Sequence, residues 1–254
     1  MARPRCIDVG CSLEEETLCE SQRYLPMSAT VHAADIHRKK LSPTDVVDGT
    51  PSVLPIVFVV DDDATVRESL ELLAQSAGCR AETFASAEEF LARPRVLTPS
   101  CLVVDVALPN LNGLDLQKRI AHRVDMPIIF ITGNRDVPTT VRAMKAGAAE
   151  YLTKPCDYNV LLSAIRHAVD RSKRVLREEA EMRLLRNHYA SLTPREREVM
   201  ELVIAGELNK QIGGKLGISE ITVKAHRGKM MRKMKARSLA DLVNMAATLL
   251  SSCA

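Results

Sequence analysis

Ile56-Val-Phe-Val-Val-Asp-Asp-Asp63 decides the fold, because an unbroken apolar run ends directly in three carboxylates. A run of this kind suits a strand buried on both faces of a parallel sheet. Asp63 can accept from the free N–H groups that open a following helix. The apolar face of that helix uses Val66, Leu70 and Leu73, and Gly78 ends it. Short strands recur near 81–84, 101–104, 128–131 and 151–153. Helical patterns lie between them: one opens at Ser86 with Glu89 three residues on, a capping box. Others run over 114–121 and 137–145, the second closed by Gly147. Strands alternating with helices in this way predict an α/β domain whose parallel sheet is covered on both sides. In such a sheet function gathers at the carboxyl ends of the strands.

Those ends carry a particular set of side chains. Asp61 and Asp62 end the first strand, Asp105 the third and Thr132 the fourth, and Lys154 follows the fifth. Helix capping accounts for Asp63 but not for the set. Carboxylates crowded together repel one another and stay ionised only beside a cation. A hard ion such as Mg²⁺ suits carboxylates, waters and a phosphate oxygen. The chemistry such a rim supports is phosphoryl transfer onto a carboxylate, with Asp105 as the nucleophile, Lys154 supplying charge and Thr132 a hydroxyl. Hydrolases with aspartyl nucleophiles on similar sheets are the rival reading. They usually place a second acid two residues after the nucleophile, where this chain has Ala107.

The chain then changes character. From 160 to 189 it reads as one long charged helix, or a helix and a linker, with Leu161, Ile165, Ala168 and Val169 on a packing face. Residues 176–185 suit a solvated connector or a dimer seam. Thr193-Pro-Arg-Glu196 is a helix start, with threonine as N-cap, proline at the first position and glutamate at the third. Gly206 stops that helix, and Ser238 opens a last one with Leu239, Leu242, Val243 and Ala246 on its apolar face. Between them, 209–216 and 220–234 flank the tight turn Leu216-Gly-Ile-Ser219, the proportions of a helix-turn-helix. The net charge of +3 conceals an asymmetry: residues 55–170 hold 12 basic and 15 acidic side chains, and residues 190–254 hold 11 and 6. Seven basic residues and no acidic one lie from Lys224 to Arg237; such a block is often a solvated helix face, but here it falls on one specific element and also suits a polyanionic partner. On the second helix of the pair, Ile221, Val223 and Met230 are expected to face the core. That leaves Lys224, Arg227, Lys229, Arg232 and Lys233 for phosphates and base edges. Gly213 and Gly214 each cost up to about 1 kcal/mol in a helix interior, and the sequence offers no physical account of the pair.

Val60-Asp-Asp-Asp63, Val104-Asp-Val-Ala-Leu-Pro109 with Gly113, Ile131-Thr-Gly133 and Tyr151-Leu-Thr-Lys-Pro155 resemble the motif set of bacterial response-regulator receivers. Leu192-Thr-Pro-Arg-Glu-Arg-Glu198, Asn209-Lys-Gln-Ile212, Leu216-Gly-Ile-Ser219 and Thr222-Val-Lys-Ala-His226 resemble the LuxR-type DNA-binding domain. Together they are similar to two-component response regulators of the NarL/FixJ class, FixJ-like subgroup. The resemblance implies a flavodoxin-like (βα)5 receiver over 54–171, a helical linker over 172–189 and an all-α four-helix domain over 190–254. It implies Asp105 as phosphoacceptor, with Asp62, Asp105 and the Ala107 carbonyl ligating Mg²⁺ and Asp61 acting mainly through water. Thr132 and Tyr151 would be the switch pair, and the Lys154–Pro155 peptide would be cis. The resemblance also implies Lys224, Ala225 and Gly228 as the groove-facing positions. Gly228 has no side chain to offer, so Lys224 and Arg227 are the stronger candidates for contacts. His226 contacts phosphate or packs locally, and Lys210 and Thr222 complete the contact set. The implied partners are a sensor histidine kinase, double-stranded promoter DNA, RNA polymerase and, once phosphorylated, a second copy. Ala107 and Cys156 depart from the commonest receiver pattern and should tune phosphoryl lifetime.

The remaining signals exclude rather than assign. No apolar run approaches the roughly 18 residues of a membrane span. Basic Arg3 and Arg5 are followed by Glu14, Glu15 and Glu16 where a signal peptide would be apolar, so a cytoplasmic chain is expected. Residues 1–53 show no sustained period and read as a disordered leader. The seven cysteines lack metal-site spacing, and reduced thiols are expected.

Overall fold

The computed structural model describes residues 53–133 and 136–251. The expected disordered leader therefore lies, but for Val53, outside the described residues. The chain divides into two compact units between Lys173 and Arg174.

The first unit alternates strands and helices: β1 (Ile56–Val60), α1 (Ala64–Ser76), β2 (Arg80–Phe84), α2 (Ala87–Ala92), β3 (Ser100–Asp105), α3 (Gly113–Arg119), β4 (Ile128–Thr132), α4 (Val137–Lys145) and β5 (Glu150–Thr153). The helix α5 (Tyr158–Ala190) follows without a break, so the expected linker belongs to one continuous helix. All strand pairs are parallel, in the order β2-β1-β3-β4-β5. The chain reverses its direction of winding between β1 and β3, the place where open α/β sheets hold their ligands.

Every residue of β1, β3 and β4 is buried, and alternation along the strands feeds two cores. Phe58, Val60, Leu102, Val104 and Phe130 pack with Phe90 and Leu116 on one face. Val57, Val59, Cys101, Val103, Ile129 and Ile131 pack with Leu70, Leu73, Leu161 and Ile165 on the other. Each such side chain contributes roughly 1.5–3 kcal/mol by leaving water. The apolar run that names these strands is thus the sum of two opposed faces. Among the described cysteines, Cys79 and Cys101 are buried and all three, with Cys156, are free thiols. The helix caps follow the sequence: Asp63 accepts from the Thr65 N–H, and Ser86 accepts from the Glu89 N–H.

Gly113 opens α3 at a close approach. Its N–H donates to the Val106 carbonyl, and a Cβ there would lie 2.5 Å from the Asp105 carbonyl oxygen and 3.2 Å from the Val106 Cα. Only a bare Cα lets the helix rest against the end of β3.

The second unit holds α6 (Pro194–Ile204), α7 (Asn209–Leu216), α8 (Glu220–Met234) and α9 (Leu239–Ser251). Val199, Met200, Ile212, Val223, Met230, Met234 and Leu242 form its core, with Leu185 and Tyr189 from the end of α5 packed against it. Gly217 takes a left-handed conformation (φ +66°) at the turn between α7 and α8. The turn also explains Gly213, where a Cβ would lie 2.8 Å from the Ile218 carbonyl oxygen. Gly214 meets nothing within 4 Å and remains without a structural reason. One expectation fails: Ile221 does not face the core but is 80 % exposed. Residues two apart on a helix point about 200° apart, so Ile221 cannot share a face with Val223. The buried face of α8 is Val223, Met230 and Met234.

At the start of α6 the Thr193 and Glu196 side chains cap reciprocally. Lys233 Nζ lies 2.6 Å from Glu196 Oε2 and also donates to the Ser191 carbonyl, fastening the end of α8 to the start of α6. The Lys233 ammonium and the Thr193 N–H hold the Glu196 carboxyl below its usual range. A carboxylate lowered in the folded state stabilises above its unfolded pKa and loses that contribution as pH falls through the folded value.

Two outcomes are expected in urea titrations of the full chain. Gly113→Ala lowers the stability of the first unit by about 1–3 kcal/mol through overpacking against backbone. Lys233→Ala lowers that of the second by about 1–2 kcal/mol at pH 7, a charged hydrogen bond discounted for solvent access to the lysine. The Lys233→Ala deficit narrows as the pH falls through and below the ordinary glutamate range, where Glu196 takes up a proton in the wild type.

Candidate functional site

The sheet register assembles the acidic rim. Val60 pairs with Val104, so Asp61 and Asp105 emerge side by side at the β1 and β3 ends. Asp105 pairs with Ile131 and Thr132 with Thr153, which brings Thr132 and Lys154 to the same edge. Asp61 is 2 % exposed and Asp105 8 %, whereas Asp62 is exposed. Carboxylate oxygens of these three residues lie within 4.8 Å of one another.

Lys154 Nζ bonds Asp105 Oδ2 at 2.6 Å and Asp61 Oδ2 at 2.8 Å. The Ala107 N–H donates to Asp105 Oδ1 and the Asp63 N–H to Asp61 Oδ1, each at 2.9 Å. Burial pushes the Asp61 carboxyl above its ordinary range, against the hydrogen bonds from Lys154 and Asp63. Burial also pulls the Lys154 ammonium down, but its bonds to Asp105 and Asp61 outweigh this and hold it above the usual lysine value. One ammonium among three carboxylates leaves a negative excess. The donors are hard oxygens, so the set fits a hard divalent cation.

Thr132 is buried, and the Lys154 N–H donates to its carbonyl at 2.7 Å. Tyr151 is half-buried, its ring centroid 6.1 Å from that of Phe130. Since Phe130 pairs with Tyr151 and Thr132 with Thr153, alternation puts Thr132 and Tyr151 on one face of the sheet. The Lys154–Pro155 peptide is cis. Arg67 on α1 escaped the sequence reading: its guanidinium donates to the carbonyls of Asp61 (2.7 Å) and Asp62 (3.0 Å) and holds the acidic turn. Its only signal is a position one turn into the helix that follows the carboxylates.

In the second unit the basic residues divide by direction. Lys210, Lys224, Ala225, Gly228, Lys229 and Arg232 are exposed, while Thr222, His226, Arg227 and Lys233 are half-buried. Arg227 donates to Asn209 Oδ1 at 3.1 Å, and the Lys233 charge is committed to Glu196. Lys224 pairs with Glu220 one turn earlier, at 2.9 Å on an exposed surface. The Thr222 hydroxyl lies 2.8 Å from that of Ser219, the N-cap of α8. Among the described residues no helix is long and apolar enough to cross a membrane.

Comparison with known proteins matches the two units to two families. Residues 57–166 match the response regulator receiver domain, and residues 190–246 match the bacterial regulatory proteins of the luxR family. Nodulation protein W of Bradyrhizobium diazoefficiens is 47% identical over 199 residues, which cover 78% of this chain and 88% of that protein. The transcriptional regulatory protein FixJ of Azorhizobium caulinodans is 43% identical over 197 residues, covering 77% and 93%. The solved structure of the response regulator StyR is 44% identical, covers 77% of this chain and all of that one, and superposes with a TM-score of 0.73. With a receiver whose acidic rim is intact and a helix-turn-helix of the luxR family behind it, the chain belongs to the two-component response regulators of the NarL/FixJ class, which bind DNA to regulate transcription.

Proposed function

We propose that Asp105 accepts a phosphoryl group from the phosphohistidine of a sensor kinase in the cytoplasm. The modified chain then pairs with a second copy and sets α8 in the major groove of promoter DNA, where it regulates RNA polymerase. The observation that carries the reading is the Lys154 ammonium bonded to both buried carboxylates.

An oxygen of the Asp105 carboxylate attacks phosphorus in line with the donor nitrogen. The P–N bond breaks with its electron pair going to the imidazole, and an acyl phosphate forms on Asp105. Ala107 and Lys154 position the attacking carboxylate through its two oxygens. Lys154 is also placed to take a phosphoryl oxygen, and Thr132 brings a hydroxyl toward another. Asp61, Asp62, Asp105 and the Ala107 carbonyl would hold Mg²⁺, whose charge offsets the repulsion between carboxylates and phosphoryl oxygens. Water later cleaves the acyl phosphate and restores the carboxylate.

The phosphoryl group brings roughly two negative charges and about one to three charge-assisted hydrogen bonds, each contributing about 1.5–3 kcal/mol. Reversing a 1:99 equilibrium takes about 5.5 kcal/mol, which two or three such bonds supply. Thr132 moves toward the phosphoryl group and Tyr151 follows on the same face of the sheet. The face this alters is α4, where Val137 (71 %), Val141 and Met144 (44 % each) are exposed. That apolar stripe suits a second copy, and duplex DNA with two half-sites suits the resulting dimer.

Incubation with acetyl phosphate and Mg²⁺ is expected to label the wild type with an acid-stable, base-labile phosphoryl group and to drive dimerisation in sedimentation velocity. Asp105→Asn shows neither; an Asp105→Asn chain that dimerises and binds DNA as tightly as labelled wild type sinks the reading. Val141→Asp keeps the label but weakens the labelled dimer at least about tenfold, as an unpaired carboxylate at an apolar contact must.

A further inference from the structure

The outward face of α8 is the stripe Ile221, Lys224, Ala225, Gly228 and Arg232, at helical spacings that align them, and all five are exposed. At 80 %, Ile221 is the most exposed large apolar side chain among the described residues. A single exposed isoleucine would be unremarkable. This one heads a stripe on which Ala225 and Gly228 also lack any hydrogen-bonding group. Gly228 costs up to about 1 kcal/mol relative to alanine inside a helix. A Cβ there would meet nothing within 4 Å, so packing within the unit does not demand the glycine. The bare Cα on this exposed face leaves room for close approach by an external partner. The charge around the stripe says which partner, since Lys224 to Arg237 carries seven basic residues and no acidic one. That composition fits the phosphates of a duplex.

Hydrogen bonds at the centre of this stripe cannot read a base edge. The major groove offers one apolar feature, the C5-methyl group of thymine, and recognition helices meet base edges first through their N-terminal residues. We propose that Ile221, at the second position of α8, reads a thymine methyl group together with Ala225, so that each half-site places a T·A pair beneath them. Gly228 lets the helix sit deep enough for the contact, and Lys224 and Arg232 flank it. This rests on the reading that α8 enters the major groove.

The test uses the full chain, labelled with acetyl phosphate, to select duplexes from a randomised library. Wild type, Ile221→Ala and Lys224→Ala are compared. The expected result is a wild-type consensus containing a T·A pair that Ile221→Ala no longer prefers. Replacing that thymine with deoxyuridine, which removes only the methyl group, weakens wild type about three- to tenfold and weakens Ile221→Ala, which keeps only the Ala225 contact, by clearly less. The same consensus for both proteins, or no effect of deoxyuridine at any position, overturns the methyl reading while the groove reading stands. If wild type selects no sequence, or Lys224→Ala binds the selected duplex as tightly as wild type, the groove reading itself falls and this inference with it.

Discussion

Asp61 and Asp105 stand buried at the ends of adjacent strands, where two carboxylates repel each other, and the Lys154 ammonium bonds to both. The neighbouring architecture serves that arrangement. Lys154 is 93 residues from Asp61 and 49 from Asp105, so their meeting depends on the strand order and register of the sheet. Arg67 and Gly113 keep the two turns in place, one by bonding the Asp61 and Asp62 carbonyls, the other by letting α3 rest on the end of β3. The rim that results carries more negative charge than its single lysine balances. That excess sits largely on buried carboxylates, where solvent screening is weak.

The second unit distributes its charge differently. Lys233 turns inward to a buried glutamate, whose own carboxylate completes the cap of α6. Arg227 reaches back to Asn209 on α7. These two cations brace α8 against its neighbours, and the exposed lysines and Arg232 remain toward solvent. Part of the basic block thus secures the position of the helix rather than facing outward. The outward face then combines charge at its margins with apolar and small residues along its centre, a pattern suited to long-range attraction by phosphate and short-range discrimination by shape.

Much of this was legible in the residues themselves. Continuous apolar runs identified β1, β3 and β4 because a strand buried on both sides shows no alternation. Asp63, Ser86 and Thr193 marked helix starts correctly, since capping is a contact between residues two or three apart and is written into short stretches of chain. The turn glycine placed α7 and α8 to the residue. Asp61, Asp62, Asp105, Thr132 and Lys154 could be assigned to one edge because parallel strands deliver their carboxyl ends to the same side.

Direction and partnership were decided only by the tertiary structure. The sequence could show that Lys224 to Lys233 is basic, but not that Lys233 points to Glu196, 37 residues away. It suggested a buried Ile221, and the phase of α8, set by packing of Val223, Met230 and Met234, turned that side chain to solvent. The roles of Arg67, Gly113 and Gly213 likewise rest on approaches to backbone carbonyls that no local pattern encodes. Periodicity reports which residues share a face of an element. Which face meets which neighbour is a matter of close packing among distant segments, and only the folded chain contains it.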